Sequence, residues 1–301
     1  MLTIGTRGSQ LALWQTNWVA ARFKEAGVES RIEIILTTGD KITDIALSKV
    51  GGKGLFTKEL EDALLERRID VAVHSLKDMP TELPAGLRLA AVPAREDPRD
   101  AVVGRKLSEL PAGAAVGTSS LRRAAQLRAM RPDLVLESIR GNLDTRLRKL
   151  DEGQYDAIVL AAAGLRRLGW SGRIAELLEP AAMCPAVGQG ALAIETRSEE
   201  SPVTAACSRL ADEATWQAVT AERALLSALG GGCQMPIGAH GVVREGQLHL
   251  QAVVCAPDGS RTIRREARGR AEDAARIGKE LAGRLLADGA SNILESVYGA
   301  A

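Results

Sequence analysis

Short apolar stretches alternate with longer amphipathic stretches through the first third of the chain. Amphipathic helices are predicted over residues 9–26, where Ser9 can cap the first turn, and over residues 57–68. The stretches around these helices are short and rich in aliphatic residues, which is typical of strands: 2–6, 31–37, 69–73 and 87–92. Because strands and helices alternate, the pattern predicts a parallel α/β sheet.

A second series of the same kind follows a charged, proline-broken segment at residues 93–100. Strands are predicted at 114–117, 134–139 and 155–161, and each is followed by a helix. The dipeptide Gly-Thr ends the first strand of both series, which suggests two similar α/β domains.

From Thr215 onward the pattern changes to one helix, ending near Leu229, followed by stretches of alternating apolar and polar residues. Pro257-Asp258-Gly259 is a typical hairpin turn between two of these stretches. The expected elements are antiparallel strands at 237–243, 247–256 and 262–268 and closing helices at about 271–288 and 291–298. This pattern predicts a small α+β third domain with a three-stranded antiparallel sheet.

The predicted domain boundaries follow from two crossings of the chain. It leaves the first domain at residues 93–100 and returns through a segment containing proline and glycine at 183–190. Residues 191–196 could then add a strand to the first sheet. The expected domains are residues 1–95 with 191–210, residues 96–190, and residues 211–301.

Composition excludes several classes of function. Lys and Arg number 39 and Asp and Glu 38, and there are only two Phe, two Tyr and four Trp, so a nucleic-acid surface is not expected. No stretch approaches the roughly 20 apolar residues of a membrane span. The four cysteines show no CxxC spacing, the three histidines show no metal-ligand spacing, and no secretory signal is visible. We therefore expect a reduced cytoplasmic protein without metal, and a monomer, because no apolar stripe demands a partner.

Groups that bind anions follow four of the predicted strands. The carboxyl ends of strands face the ligand crevice in open α/β sheets, and helix N-termini there add unpaired N–H groups. Arginine adds a planar fork that fits a carboxylate. No P-loop or GxGxxG follows a strand, so a nucleotide is not indicated. The residues are Arg7 and Ser9, Ser75 and Lys77, Thr118, Ser120, Arg122 and Arg123, and Arg140 and Asn142. Any single arginine could lie on a solvated helix face, but the set predicts a ligand with several carboxylates or phosphates.

Asp78 differs from the other acidic residues because it follows a buried strand and lies among these cations. A carboxylate in such a crevice could stabilise positive charge on a substrate or transfer a proton. The alternative, equally open on the residues alone, is that Asp78 caps the turn or pairs with Lys77 or an arginine.

Three glycines, Gly230 to Gly232, lead directly into Cys233. Glycine adopts backbone conformations closed to other residues, so the loop would hold this sulfur on an adaptable tether. Cys233 is thus the most plausible covalent attachment point of the four cysteines. A helix C-cap beside an incidental thiol explains the glycines equally well. The glycine-rich, charged segment 38–54 is interpreted as a mobile loop of the kind that covers a cleft.

These motifs together resemble the hydroxymethylbilane synthases, also called porphobilinogen deaminases. The resemblance spans nearly the whole chain and departs from the family only at Gly230, where a bulkier, often acidic residue is usual. The matching motifs are Thr6-Arg7-Gly8-Ser9, Gly52-Lys53-Gly54-Leu55-Phe56, Val73-His74-Ser75-Leu76-Lys77-Asp78, Gly117-Thr118-Ser119-Ser120-Leu121-Arg122-Arg123, Ile139-Arg140-Gly141-Asn142, Pro185-Ala186-Val187-Gly188-Gln189-Gly190 and Gly231-Gly232-Cys233-Gln234.

The resemblance implies a fold of two lobes similar to periplasmic binding proteins, with a cleft between them, and a third domain. It implies an enzyme that joins four porphobilinogen molecules head to tail, releases ammonia at each step and yields the linear tetrapyrrole hydroxymethylbilane, on the route to haem. A dipyrromethane cofactor made from porphobilinogen would be attached to Cys233 through a thioether. The full-length chain on its cofactor carries about a dozen carboxylates, which fits the many cationic strand ends.

The resemblance also implies roles for individual residues. Asp78 would be catalytic and would stabilise the azafulvenium cation left when ammonia departs. Lys53, with the segment from Asp40 to Gly54, would cover the cleft. The cofactor carboxylates would be bound mainly by Ser75, Lys77, Thr118, Ser120, Arg122, Arg123 and Arg146, and the incoming ring mainly by Arg7, Ser9, Arg140, Arg167 and Gln189.

Two other classes of function compete with this interpretation. A two-lobed protein that binds or senses a small anion without catalysis would share the α/β lobes, but it would need neither Cys233 nor Asp78. A structural interaction protein would leave the arginines at the strand ends unexplained.

Overall fold

The structure is a computed structural model and describes residues 1–41, 54–232 and 235–298. Within these ranges the chain forms two α/β lobes, each built on a five-stranded sheet, and a third unit built on a three-stranded antiparallel sheet. The predicted fold class is therefore confirmed. None of the helices described is both long and apolar enough to cross a bilayer.

The first lobe contains a strand that comes back from later in the sequence. With elements numbered in chain order, its members are β1 (Leu2–Thr6), α1 (Gln10–Glu25), β2 (Ser30–Ile34), α2 (Thr38–Lys41), α3 (Lys58–Leu65), β3 (Val71–Ser75), β4 (Leu87–Ala91), β10 (Leu192–Arg197) and α7 (Pro202–Ser208). The strand order is β2-β1-β3-β10-β4, with β1 parallel to β2 and β3. β10 runs antiparallel between β3 and β4, which confirms the predicted return to the first sheet.

The second lobe repeats this topology. Its members are β5 (Asp100–Gly104), β6 (Ala115–Gly117), α4 (Leu121–Met130), β7 (Val135–Glu137), α5 (Leu143–Asp151), β8 (Ala157–Ala161), α6 (Ala162–Arg167) and β9 (Ile174–Leu178). The order is β7-β6-β8-β5-β9, with β6 parallel to β7 and β8 and with β5 antiparallel between β8 and β9. The carboxyl ends of the parallel strands therefore share one edge in each lobe.

The third unit packs helices against one face of a sheet. Its members are α8 (Glu213–Ala228), β11 (Ile237–Arg244), β12 (Gln247–Cys255), β13 (Thr262–Arg270), α9 (Ala274–Ala287) and α10 (Ala290–Tyr298). β12 is the central strand and is antiparallel to both neighbours. Leu225, Leu250 and Leu281 are fully buried where α8, β12 and α9 meet, so apolar burial holds this unit together.

Local capping fixes the helices that begin at the cleft. The Ser9 hydroxyl accepts a hydrogen bond from the Ala12 N–H, and the Ser120 hydroxyl accepts one from the Arg123 N–H. The Ser9 cap is the one that the sequence analysis names, and each of the two caps satisfies an amide that the helix itself leaves unpaired.

Four predictions of local structure are incomplete or wrong. The pattern missed β5, β9 and α7, because each is short and β5 directly follows the charged crossing. Residues 38–41 were expected in a loop but form the helical turn α2, where the Asp40 carboxylate accepts a hydrogen bond from the Thr37 N–H at 3.3 Å. The remainder of the expected loop, 42–53, lies outside the described residues.

The two crossings lie side by side. The Glu96 N–H donates to the carbonyl of Gly190 at 3.2 Å, and the Arg95 Nε donates to the carbonyl of Gln189 at 2.7 Å. Gly190 has a φ of +88°, and a Cβ there would lie 2.4 Å from the Glu96 carbonyl oxygen, so only glycine fits. The first crossing ends where β5 begins at Asp100, one residue earlier than predicted.

Candidate active site

A cleft of about 750 Å³ is lined by residues of both lobes. Its walls include the carboxyl ends of β1, β3 and β8 and the first turns of α1 and α5. The structure brings together at this cleft ten of the candidate residues: Arg7, Ser9, Ser75, Lys77, Asp78, Arg123, Arg140, Asn142, Arg146 and Arg167. The strand ends that carry these side chains therefore face one cleft, and the roles of the residues stay predictions.

A smaller cavity of about 150 Å³ shares Lys77, Asp78 and Arg123 with the cleft. Gly232, the last described residue before Cys233, also lines it, so this cavity leads from the cleft to the glycine loop. Thr118 lines neither cavity; it is buried, and its hydroxyl accepts a hydrogen bond from the Ser120 N–H at 3.3 Å. Three further predicted residues line the small cavity: Ser120, Arg122 and Gln189.

The second lobe presents three cations that have no carboxylate partner among the described residues: Arg140, Arg146 and Lys149. The Arg146 Nε donates to the Gly141 carbonyl at 2.8 Å, and the Lys149 Nζ donates to the Arg140 carbonyl at 3.3 Å. Burial lowers the pKa of Arg146 to about 10, and the neighbouring charges of Arg123 and Arg140 add to the effect. This wall of the cleft therefore has an excess of positive charge that a polyanion would neutralise.

Two further cations of the cleft are partly desolvated. Burial lowers the pKa of Lys77 to about 8, opposed by Asp78 and reinforced by Arg123. Burial also lowers the pKa of Arg167 to about 10, and its Nη2 donates to the Gly190 carbonyl at 2.7 Å. A carboxylate bound beside either group would stabilise its charged form and raise its pKa.

Arg7 of the first lobe already has a partner from its own chain. Its guanidinium pairs with Asp40 and lies 4.2 Å from the centre of the Phe56 ring. Burial acts to raise the pKa of Asp40, but hydrogen bonds from Arg7 and Thr37 lower it overall. A substrate carboxylate that binds Arg7 must therefore compete with Asp40 for the same guanidinium.

Asp78 lies in the 3₁₀ turn formed by Leu76–Asp78, directly after β3, and lines both cavities. Its carboxylate makes no hydrogen bond or ion pair with any residue of the described ranges. A cap or a direct bond to Lys77 or an arginine is therefore not observed in these ranges, although the negative charge of Asp78 acts to raise the pKa of both Lys77 and Arg146. Close by, Gln15 of α1 donates to the Ser75 hydroxyl at 2.9 Å and fixes that side chain. Asp78 is left as an acceptor aimed into a cationic cleft.

Arg122 and Arg123 surround one buried carboxylate. The Arg122 Nη1 lies 2.6 Å from Asp100 Oδ2, and the Arg123 Nη2 lies 2.8 Å from Asp100 Oδ1. Gln189 donates to Asp100 Oδ1 at 3.0 Å, and the Arg123 Nη1 donates to the Val159 carbonyl at 3.0 Å. Burial acts to raise the pKa of Asp100, but the two arginines bring it well below its ordinary value. The sequence predicted both arginines as ligand contacts and missed the acid that they share.

Two family models match most of the chain, including the residues of the cleft. Residues 2–205 match the family model described as porphobilinogen deaminase, dipyromethane cofactor binding domain, and residues 216–287 match porphobilinogen deaminase, C-terminal domain. The chain belongs to the porphobilinogen deaminase family. The resemblance drawn from the sequence motifs is thereby confirmed, and the dipyrromethane cofactor belongs to the family domain that contains the cleft.

Relatives named porphobilinogen deaminase align over the full length. The protein of Pelobacter propionicus is 53% identical over 99% of this chain and 97% of its own. That of Syntrophobacter fumaroxidans is 50% identical over 100% of this chain and 99% of its own.

Solved structures are also similar to the chain at low identity. A nutrient binding protein from Burkholderia cenocepacia bound to methionine covers 69% of this chain and 90% of its own, with 13% identity and a TM-score of 0.44. The methionine binding protein MetQ covers 72% and 89%, with the same identity and TM-score.

The glycine loop of this porphobilinogen deaminase family member begins as a helix cap. Gly230 has a φ of +66° and donates its N–H to the Ser227 carbonyl at 2.9 Å, while the Gly231 N–H donates to the Leu226 carbonyl at 3.0 Å. This pair of bonds is the Schellman motif, so the C-cap interpretation of the glycines is confirmed. It also explains glycine at 230, because the left-handed backbone conformation there favours a residue without a Cβ. Cys233 and Lys53 lie outside the described residues, and their roles stay predictions.

Several residues at the site were missed from the sequence. Lys149 follows Arg146 by three positions on α5, a spacing that puts both on one helix face and could have identified it. Asp100 and Gln15 carry no such signal, because their contacts span 22 and 60 positions of sequence. Within the described ranges, no three His, Cys, Asp or Glu side chains converge in the manner of a metal site.

Proposed function

We infer that this chain is a transferase of tetrapyrrole biosynthesis, which joins four porphobilinogen molecules head to tail with release of ammonia to give hydroxymethylbilane. The observation that carries this inference is a cleft with three unpaired cations on one wall and the unpartnered carboxylate of Asp78 within it. Membership of the porphobilinogen deaminase family supplies the reaction that fits this cleft.

The cleft residues suit the carboxylates of a pyrrole chain. Each ring carries an acetate and a propionate, and guanidinium and ammonium groups pair with such groups most strongly where water is partly excluded. We assign Arg7, Ser9, Arg140, Arg167 and Gln189 to the incoming ring. Gln189 and Arg167 already donate to protein carbonyls, so their contacts with substrate would add to these bonds.

The residues present also fit a dipyrromethane held on Cys233. The small cavity begins beside Gly232 and contains Lys77, Ser120 and Arg123, which are donors for its carboxylates. When bound, the cofactor supplies the pyrrole carbon on which the chain is built. The residues assigned to hold it are Cys233 through a thioether, and Ser75, Lys77, Thr118, Ser120, Arg122, Arg123 and Arg146. Thr118 lines neither cavity. It would act indirectly, because its hydroxyl accepts a hydrogen bond from the Ser120 N–H.

Asp78 is the proposed catalytic residue. Departure of ammonia leaves positive charge on the porphobilinogen ring, and a fixed carboxylate with no internal partner can stabilise that charge. Lys77 lies beside it, and the negative charge of Asp78 favours the charged form of Lys77 against the effect of burial. This arrangement stabilises the cation more than the neutral amine, which lowers the barrier rather than only tightening substrate binding.

The remaining assignments are proposals of the same standing. We propose domain boundaries at 1–95 with 191–210, 96–190 and 211–301, supported by the pairing of β10 with β3 and β4. A monomer that works in the cytoplasm and a covering role for Lys53 complete the proposal.

Intact mass and turnover test the proposal together. The purified protein should be heavier than its sequence by two pyrrole units, and Cys233→Ala should remove that excess. Asp78→Asn, purified with the cofactor attached, should lose about 100-fold or more in turnover, since one electrostatic partner of a developing charge contributes this much. An active protein with the bare mass of the chain would refute covalent attachment, and normal turnover of Asp78→Asn would remove this residue from the mechanism. A chain that binds porphobilinogen without consuming it would favour the alternative, a two-lobed binding protein.

A further inference from the structure

Helix α8 connects the glycine loop to the rest of the molecule through two adjacent charged residues, Glu222 and Arg223. The Glu222 carboxylate is fully buried and accepts from the Gly188 N–H at 2.7 Å and the Gly241 N–H at 2.8 Å. It also pairs with Arg95 at 2.5 Å. Because these partners belong to both crossings and to β11, Glu222 fixes α8 against the middle of the molecule.

Arg223 reaches in another direction, towards the first lobe. Its Nη2 donates to the carbonyl of Pro80 at 2.8 Å and to the carbonyl of Thr81 at 3.0 Å. These two carbonyls follow Asp78 by two and three residues and lie in the segment directly after the 3₁₀ turn. One guanidinium nitrogen therefore links the turn that carries the Asp78 carboxylate to the helix that leads into Gly230.

Arg223 also lines the small cavity, together with Asp78 and Gly232. The turn that carries Asp78 therefore encloses one side of the cavity. The glycine loop, which follows α8, encloses another side. A shift of the turn relative to α8 changes the separation between Asp78 and the loop. Leu76 and Met79 pack in one apolar cluster with Val219 of α8, and the two Arg223 hydrogen bonds add a fixed direction to this contact.

We propose that Arg223 is a positioning residue that sets the distance between the Asp78 carboxylate and the cofactor-bearing loop. This inference rests on the proposed function. A carboxylate stabilises a developing charge only at close range, and displacement of a reacting group by about 1 Å can lower a rate about 100-fold. Arg223 acts on the reaction by holding the turn in place.

The chain offers a matched control in Arg264. This arginine of β13 also donates to two backbone carbonyls of another lobe, Pro180 at 3.2 Å and Ala182 at 3.3 Å. Both carbonyls lie after β9, a third acceptor is the Gln126 side chain of α4 at 3.4 Å, and Arg264 lines neither the cleft nor the small cavity. Arg223→Met and Arg264→Met thus remove the same kind of bond between the third unit and a lobe, but only the first touches the Asp78 turn.

The experiment compares holoenzymes of the wild type, Arg223→Met, Arg223→Lys and Arg264→Met. Mass spectrometry gives the fraction of each protein that carries the two extra pyrrole units, and turnover is expressed per loaded chain. We expect kcat of Arg223→Met to fall about 10- to 100-fold with KM within about twofold, and Arg264→Met to keep kcat within about twofold. Hydrogen exchange of the amides at 79–85 should accelerate in Arg223→Met alone. Arg223→Lys, which retains charge and one donor group, should recover part of the loss and provides the measurement if the Met variant does not fold.

Equal kcat in the two Met variants would overturn the proposal, because Arg223 would then be a structural link of the same kind as Arg264. A loss of kcat in Arg223→Met without faster exchange of the amides at 79–85 would overturn it as well, since the segment would then be held in place without Arg223. A wild-type protein without the mass excess and without porphobilinogen turnover would instead remove the proposed function itself, and that result is read from the wild type before any variant is compared.

Discussion

Arg122 and Arg123, which follow β6, contrast with Arg140 and Arg146, which follow β7. In the sequence both pairs stand just after a strand of the second lobe. In the structure the first pair is buried around Asp100, whereas the second pair is half-buried and has no carboxylate partner in the described ranges. The position of an arginine after a strand therefore predicts its place in the fold. Whether it can bind a ligand carboxylate depends on whether a carboxylate of the protein already pairs with it.

The difference has an energetic meaning. Two guanidinium groups that share a buried carboxylate are compensated before any ligand arrives, so they rigidify the second lobe beside the small cavity. Unpaired cations repel one another until an anion binds, and the lowered pKa of Arg146 reflects that repulsion as well as burial. One carboxylate offsets only one of the two charges at Asp100, so Arg122 and Arg123 should contribute to folding as well as to cofactor binding, and Arg140 and Arg146 mainly to binding.

Removal of the shared acid should have the largest effect on stability. Asp100→Asn leaves two buried guanidinium groups without their counter-charge, and breaking a buried pair in this way costs about 3–5 kcal/mol. Urea unfolding of the variant and the wild type measures this loss. The control is Glu152→Gln, whose exposed partner Arg148 lies 3.7 Å away and whose loss should cost at most about 1 kcal/mol. Similar losses in both variants would show that Asp100 is not the central support.

Removal of an unpaired cation should affect binding instead. Arg140→Met should raise KM for porphobilinogen by about 10- to 100-fold, because a hydrogen bond to a charged group contributes about 1.5–3 kcal/mol. Its free energy of unfolding should change by no more than about 0.5 kcal/mol. Arg148→Met on the exposed face of α5 serves as the control and should leave KM unchanged. If Arg140→Met is destabilised but keeps a normal KM, Arg140 supports the fold in the same way as Arg122 and Arg123, and the prediction is wrong.

Lys77 provides the smallest and most specific test, through pH. Its pKa is about 8 without ligand, and a bound carboxylate raises it, so binding takes up a proton above pH 8. The affinity of the cofactor-free Cys233→Ala chain for porphobilinogen should be flat below about pH 7 and should fall above pH 8 by at most about tenfold per unit. Calorimetry in buffers of different ionisation enthalpy measures the proton uptake. Lys77→Met should abolish this dependence, and an unchanged profile in that variant would assign it to another group.

The sequence was sufficient for the lobes and for most of the cleft wall, for a physical reason. Strand ends, helix caps such as Ser9 and Ser120, and the cations beside them are local features, and parallel strands bring their carboxyl ends to one edge whatever the details. Such features alone indicated one cleft for seven residues, and Arg146 and Arg167 were added by the family resemblance. The seven are Arg7, Ser9, Ser75, Lys77, Arg123, Arg140 and Asn142.

The partners of those residues could not be predicted in this way. Asp100 meets Arg122 only because β5 inserts antiparallel between β8 and β9, and Arg223 meets Pro80 across 143 positions of sequence. Such contacts depend on how separate elements pack, and no local pattern records them. The roles of Arg122 and Arg123 as ligand contacts, rather than supports, stay predictions for this reason.

The insertion of β10 between β3 and β4 has a consequence for biosynthesis on the ribosome. β4 pairs with β10 and not with β3, so the edge strand β4 has no partner in the first sheet until residues 192–197 have emerged. The second lobe, whose strands run from 100 to 178, is complete before that point. The N-terminal lobe therefore finishes folding after the lobe that follows it, and its unpaired strand edges are the part of the nascent protein most in need of a chaperone.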